Sequence, residues 1–314
     1  MSNADRRIWT KTSLGLGTMV QIQVVTNESE AVVQQGFERA ATAMRAVENA
    51  CSRFDSDSEL VRLVQAPVGS VVPVSVILFK ALNFAYEVAD WTDGRFDPTV
   101  AARMEELGFV QHYLTGAVLH TQDGADPNAS YRDIQLDPAR QTVQLQRPLR
   151  LDLGAVAKGM AVDLAVKELA AFNFDGYVVD AGGDIYAAGL NEQGLPWTIG
   201  IRHPLRRDEV ILTLQATDVA ICTSGTYERT SSRESGSHHI LNAHSKRSAR
   251  GFISGTAVGP YTMMTDAFST AAFLYPPDEA LEVLTGVGLE GVMITEDLQF
   301  VTTPGMGGYL NERI

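Results

Sequence analysis

The order of strand and helix signals constrains this chain more than any single motif, because the signals come in groups and do not alternate. Over residues 16–25, Met19, Gln21, Gln23 and Val25 alternate with Val20, Ile22 and Val24, the period of a strand with one buried face. A helix is expected from about Glu30, with Val33, Phe37, Ala40, Met44 and Val47 at helical spacing. Two more are expected over residues 57–64 and from an N-cap at Ser75 to residue 91. Residues 94–109 read as a turn opening a short helix, with Asp97 as N-cap and Pro98 at the first position. A polar, turn-rich surface excursion over 111–131 precedes a hairpin of residues 134–136 and 142–146, then a helix over 157–172. Short strands dominate the second half, at 177–179, 185–188, 198–201, 210–214 and 219–222. Two late helices, 265–274 and 278–287, precede strands at 292–295 and 300–302. Such grouping predicts an α+β fold with mainly antiparallel sheets and packed helices. At 314 residues the chain is expected to form a single domain over 1–314, with room for two closely packed lobes.

Composition narrows the function. A net charge of −13 argues against nucleic acid or anionic membrane as a partner, since phosphate backbones are held by clustered Lys and Arg. A small phosphorylated ligand held by a metal and backbone amides remains compatible. The two cysteines, Cys51 and Cys222, allow one disulfide and form no CxxC motif. No apolar run is long enough for a transmembrane segment, and the first seven residues lack the apolar core of a signal peptide. The chain as given reads as cytoplasmic, with export the alternative if a leader was removed ahead of Ser2-Asn-Ala4.

Some motifs fail on physical grounds. Gly15-Leu-Gly17 lacks the third glycine of a dinucleotide loop and runs into a strand, where that loop must open a helix. Gly251-Phe-Ile-Ser254-Gly255 places its serine one residue off a nucleophile elbow. His238 and His239 are adjacent, so on a strand they would face opposite ways and could not share a metal.

Three groups can carry chemistry. In Asp152-Leu-Gly-Ala-Val-Ala-Lys158-Gly, an acid and a glycine before a helix leave N–H groups free as an anion seat, and Lys158 in the first turn is suited to a phosphate or an aromatic ring edge. The competing reading is a capped helix with a solvated lysine. Asp266 and Thr270 lie four apart, hence on one helix face, and supply two hard oxygens for Mg²⁺. Otherwise Asp266 complements the helix dipole and Thr270 bonds back to its own helix. Asp180-Ala-Gly-Gly-Asp184 and Cys222-Thr-Ser-Gly-Thr226 are glycine-containing turns that permit close backbone approach to a ligand.

Taken in order, several segments together resemble the FAD:protein FMN transferase family, also called the ApbE family. They are Leu16-Gly-Thr18, Cys51-Ser-Arg-Phe-Asp-Ser-Asp-Ser-Glu-Leu60, Arg95-Phe-Asp-Pro-Thr-Val100, Asp152-Leu-Gly-Ala-Val-Ala-Lys-Gly159, Ala181-Gly-Gly-Asp184, Thr223-Ser-Gly225, His239-Ile-Leu241 and Thr265-Asp-Ala-Phe-Ser-Thr270. The resemblance implies a tunnelling-fold-like α+β architecture, FAD as substrate and Mg²⁺ at its pyrophosphate. The metal ligands it implies are the Ala155 carbonyl and the side chains of Asp266 and Thr270. It also implies FAD contacts at Leu16, Phe54, Arg95, Phe96, Asp97, Asp152, Lys158 and Ile240, and places His239 as a base for the acceptor hydroxyl beside Asp266 as a catalytic residue. The implied reaction moves FMN from FAD to a Thr or Ser hydroxyl of an acceptor protein and releases AMP. Alternatives are an FAD pyrophosphatase giving FMN and AMP, and a non-catalytic FAD-binding protein. Where the family usually reads Asp-Pro-Arg-Thr-Gly after His239-Ile-Leu241, this chain has Asn242-Ala-His244-Ser-Lys246, a change that bears on acceptor recognition.

Overall fold

A computed structural model describes residues 6–111, 116, 118 and 124–311. Ser2-Asn-Ala4 lies outside them, as does much of the expected surface excursion. In chain order the strands and helices are β1 (Arg7–Gly15), β2 (Thr18–Thr26), α1 (Glu30–Cys51), α2 (Glu59–Gln65), β3 (Val71–Pro73), α3 (Val76–Trp91), α4 (Ala101–Glu106), β4 (Ile134–Asp137), β5 (Thr142–Leu145), α5 (Gly154–Leu169), β6 (Gly176–Ala181), β7 (Asp184–Gly189), β8 (Trp197–Arg202), β9 (Val210–Ala216), β10 (Val219–Gly225), β11 (Leu241–Asn242), β12 (Arg247–Ser248), β13 (Phe252–Gly259), α6 (Thr262–Ala272), α7 (Ala280–Thr285), β14 (Glu290–Thr295) and β15 (Phe300–Thr302).

Eight strands form one sheet in the order β1-β2-β6-β7-β10-β13-β14-β15, every neighbouring pair antiparallel. This is the expected α+β class. One sheet face buries Val20, Ile22 and Val24 against α1, α5 and α6, continuous with a core that includes Val33, Phe37, Ala40, Met44 and Val47. The opposite face packs Val25, Val178, Ile221 and Val258 against the β8–β9 hairpin through Trp197, Ile199 and Leu214. A smaller sheet, β3-β5-β4, contains the expected hairpin.

Local chemistry sets several boundaries. Ser75 Oγ accepts from Leu78 N–H and starts α3, as its position predicts. Asp97 caps the 3₁₀ turn of Pro98–Val100 by accepting from Thr99 N–H. Other expectations are corrected. The first strand signal forms β2 but begins at Thr18 and not at Leu16, because Leu16 (φ 55°) and Gly17 (φ 71°) make the left-handed turn that joins it to β1. The helix expected from residue 157 begins at Gly154, whose free first-turn N–H is taken up by Asp152 Oδ1 at 2.7 Å, while the N-cap residue Leu153 makes no side-chain bond. Lys158 is therefore in the second turn, and Asp152 itself occupies one of the amides read as an anion seat. His238 and His239 lie in a loop, with only an isolated bridge from His238 to Thr230, and their rings bond to different carbonyls, Ala249 for His238 and Arg229 for His239. Cys51 and Cys222 are free thiols, each buried.

Candidate active site

Close approach of α5 and α6 builds the centre of the site. Gly159 of α5 has no space for a side chain, since its neighbours are the backbone of Thr262 and Met263. Asp163, one turn further along α5, accepts from the N–H groups of Thr262 (2.7 Å) and Met263 (2.9 Å) and so caps α6. That docking brings Asp266 to α5, where its Oδ2 lies 3.2 Å from Lys158 Nζ and accepts from Gly159 N–H at 3.3 Å. The Ala155 carbonyl is the helical partner of that same N–H. The two segments expected to share a metal are thus adjacent.

Lys158 also makes a short ion pair with Asp184, at the start of β7. Two buried carboxylates share one ammonium. Burial pushes the Asp266 carboxyl up to about 7, the Asp184 charge adds to the rise, and Lys158 opposes it. Burial works against the charge of Lys158, but Asp184 and Asp266 outweigh it and hold the amine above its ordinary range. The sequence reading missed Asp184 as a site residue; its position after Gly182-Gly183 was visible, but its pairing with Lys158 is purely tertiary.

Thr270 does not bond back to its own helix. Its Oγ1 lies 2.9 Å from Ser224 Oγ at the end of β10, and Ser224 Oγ is in turn 2.8 Å from Ser269 Oγ. Among the described residues no three His, Cys, Asp or Glu side chains are placed to hold a metal, so a thiolate–imidazole site is not built here. The donor set is instead all oxygen: one carboxylate, one hydroxyl and one helix carbonyl. This fits a hard cation such as Mg²⁺ that keeps waters and ligand oxygens. Asp266 Oδ1 has no hydrogen-bond partner among the described residues, and the shared ammonium leaves a negative excess for a cation to balance.

A cavity of about 430 Å³ adjoins this centre, a size within the usual range for small-molecule sites. Four of the residues expected to contact FAD, Leu16, Phe54, Asp152 and Lys158, line it. Arg95, Phe96, Asp97 and Ile240 are not among its lining residues. Arg95 stacks over Tyr275 at 4.7 Å, and Phe96 is buried beside it in sequence. Asp97 spends its oxygens on Thr99 and the Tyr131 N–H, and Ile240 is core.

Arg53 and Glu48 line the cavity without having been singled out. Arg53 Nε lies 2.6 Å from Asp152 Oδ2, its Nη2 donates to the Phe109 carbonyl at 2.9 Å, and its guanidinium stacks on Phe54 at 4.5 Å. Burial opposes the charge of Asp152, but Arg53 and the Gly154 N–H outweigh it and hold the carboxyl below its ordinary range. Glu48 accepts the Leu16 N–H at 2.8 Å and fixes the β1–β2 turn at the rim. An acid three residues before the quoted Cys51 segment was the only available signal for Glu48.

His239 lies behind the wall, its ring edge-on to Phe109 with centroids 6.5 Å apart. Nδ1 is 3.3 Å from the Arg229 carbonyl, which can only accept, so Nδ1 carries the proton and Nε2 the lone pair. Burial, then the Arg229 charge, push the imidazole down to about 3.

Comparison with known proteins bears on the family and the fold. The profile of the ApbE family matches residues 16–293. A Treponema pallidum protein named FAD:protein FMN transferase is 28% identical, covering 96% of this chain and 88% of its own. An Escherichia coli K12 protein of the same name is 26% identical over 83% of this chain and 76% of its own. The crystal structure of the ApbE protein from Thermotoga maritima superposes with a TM-score of 0.85 at 25% identity, covering 98% of this chain and all of that one. The flavin transferase ApbE from Vibrio cholerae shares the fold, with a TM-score of 0.81 at 23% identity over 98% of this chain and all of that one.

Proposed function

The chain belongs to the ApbE family, and on that premise we propose that it transfers FMN from FAD to a Thr or Ser hydroxyl of an acceptor protein, with Mg²⁺ as its metal and AMP as the leaving product. The observation that carries this reading is the meeting of the Asp266 carboxylate with the first turns of α5, beside a cavity lined by Leu16, Phe54, Asp152 and Lys158.

Asp266, Thr270 and the Ala155 carbonyl would hold the metal. Bound there, Mg²⁺ would supply Lewis-acid polarisation of the pyrophosphate and offset its charge. Lys158 adds a fixed positive charge beside the same point, kept protonated by Asp184 and Asp266. Leu16 and Phe54 offer apolar surface to the flat rings, while Arg53 anchors Phe109 and Asp152 in the wall. The acceptor oxygen bonds to the FMN phosphorus as the bond from that phosphorus to the AMP oxygen breaks. The hydroxyl proton would go to His239 Nε2, the nitrogen left open by the Arg229 contact, and this requires Phe109 to move aside, because the ring does not itself line the cavity. A base pushed down to about 3 is weak by itself. The negative charge of a bound pyrophosphate and the nearby Asp152 favour the imidazolium at the moment of transfer. As in other phosphoryl transfers, positioning and charge balance account for most of the acceleration.

The test is incubation with FAD, Mg²⁺ and a candidate acceptor, read by mass spectrometry. A covalent FMN adduct with matching AMP release is expected. Fast AMP release independent of the acceptor would point to pyrophosphatase chemistry. FAD fluorescence that does not change on titration with the protein would remove the flavin reading altogether.

A further inference from the structure

Ser269 Oγ donates to the Asp266 carbonyl oxygen at 2.8 Å. A carbonyl can only accept, and a serine hydroxyl has one proton. With that proton committed, the Ser224–Ser269 contact at 2.8 Å has one possible direction: Ser224 donates. Ser224 then has no proton left for Thr270, so in their 2.9 Å contact Thr270 donates. The row Thr270 to Ser224 to Ser269 to the Asp266 carbonyl therefore has a fixed polarity, set at its far end by a backbone group of α6.

We propose that Ser224 and Ser269 are positioning residues that hold the Thr270 proton towards Ser224 on β10 and leave the oxygen's lone pairs free for the cation. The proposal rests on the metal reading above. An alcohol binds a cation through its lone pairs, and a proton pointing the wrong way opposes the ion with its positive end. The row also spans β10 and α6, so it ties the hydroxyl to the sheet as well as to its own helix. Neither serine needs to touch the ion. Partners of this outer kind are worth roughly 10- to 100-fold in metal affinity.

The experiment measures Mn²⁺ binding by electron paramagnetic resonance, without FAD, on the full chain and on Ser224→Ala, Ser269→Ala and Asp266→Ala. Ser224→Ala frees the Thr270 hydroxyl to rotate, and a roughly 10-fold or greater loss of Mn²⁺ affinity is expected. Ser269→Ala removes the acceptor of the Ser224 proton, which can then turn to Thr270 and reverse the row. It should weaken Mn²⁺ binding as well, although the Ser269 hydroxyl makes no hydrogen bond to Thr270. With FAD and acceptor present, both variants should show a raised KM for Mg²⁺ and a kcat near the parent value at saturating Mg²⁺. Thermal melting of the metal-free variants within a few degrees of the parent separates this effect from loss of folding. Mn²⁺ affinity unchanged in Ser269→Ala would overturn the polarity argument, and unchanged affinity in Ser224→Ala would overturn the whole proposal. Failure of the reading beneath it looks different: the parent protein and Asp266→Ala would bind Mn²⁺ equally poorly.

Discussion

Gly159 on α5 faces α6 so closely that a methyl carbon in its place would lie 2.5 Å from the Thr262 carbonyl oxygen and 2.6 Å from the Met263 Cα. Backbone atoms cannot rotate aside as a side chain would. Gly159→Ala is therefore expected to separate the helices. Overpacking of this kind costs about 1–3 kcal/mol, of which helix propensity returns at most about 1 kcal/mol. A urea titration measures the stability. Flavin transfer should fall further than stability does, by on the order of 10²-fold, because the Ala155 carbonyl and Asp266 lose their spacing.

Asp266→Asn makes the opposite demand on stability. The metal-free protein has two buried carboxylates on one lysine, and burial with the Asp184 charge raises Asp266 to about 7. Removing one charge leaves the Lys158–Asp184 pair intact and relieves that repulsion. The variant is expected to melt at or above the parent temperature while losing flavinylation, with a lost Mn²⁺ signal as the second readout. A lower melting temperature together with normal turnover would contradict the role given to this carboxylate.

His239 sets a pH dependence of stability. Its imidazole is pushed down to about 3 in the fold, against about 6.5 in an unfolded chain. Above about pH 6.5 the ring is neutral in both states and the full stabilisation is present. As pH falls from there towards 3, the unfolded state binds a proton that the folded state does not, so stability is lost by up to about 1.4 kcal/mol per pH unit. Denaturation midpoints at pH 7, 5.5 and 4.5 should therefore diverge less in His239→Gln than in the parent. The same variant is expected to slow transfer by roughly 10²–10⁴-fold at pH 7 if Nε2 takes the acceptor proton.

Arg53→Ala would leave Asp152 buried with only the Gly154 N–H as a strong partner. Breaking a buried pair by removing one member costs about 3–5 kcal/mol. The double variant Arg53→Ala/Asp152→Asn should recover part of that loss, because the stranded charge is gone. Arg53→Lys is not expected to substitute, since one ammonium cannot reach the Phe109 carbonyl and Asp152 while stacking on Phe54. Its signature would be a raised KM for FAD with a smaller change in kcat.

What could be read in the sequence was local. The α1 stripe of Val33, Phe37, Ala40, Met44 and Val47 is buried as its spacing predicts. Ser75 and Asp97 cap as their side chains dictate. The strand β13 was missed because Phe-Ile-Ser-Gly-Thr-Ala-Val-Gly is covered on both faces in the middle of the sheet, so no alternation is visible, and its two glycines suppress the strand signal. Strand β1 was missed for the opposite reason: as an edge strand it is mostly exposed and polar. Within the site, Asp266 and Thr270 were suggested by their four-residue spacing. Asp184, Ser224 and Arg53 act across 26, 46 and 99 residues respectively, through Lys158, Thr270 and Asp152, and no local pattern encodes such pairs.

The paired hydrogen bonds from Asp163 to the start of α6 have a further consequence. Both oxygens of one side chain on α5 grip successive amides of α6, so folding alone fixes the distance between the two helices before any small molecule arrives. An incoming ion then meets a seat already assembled and does not spend binding energy on gathering it. Weakening that grip, as in Asp163→Asn, would shift the work of assembly onto the ion and make occupancy lag behind concentration even where every coordinating oxygen is unchanged.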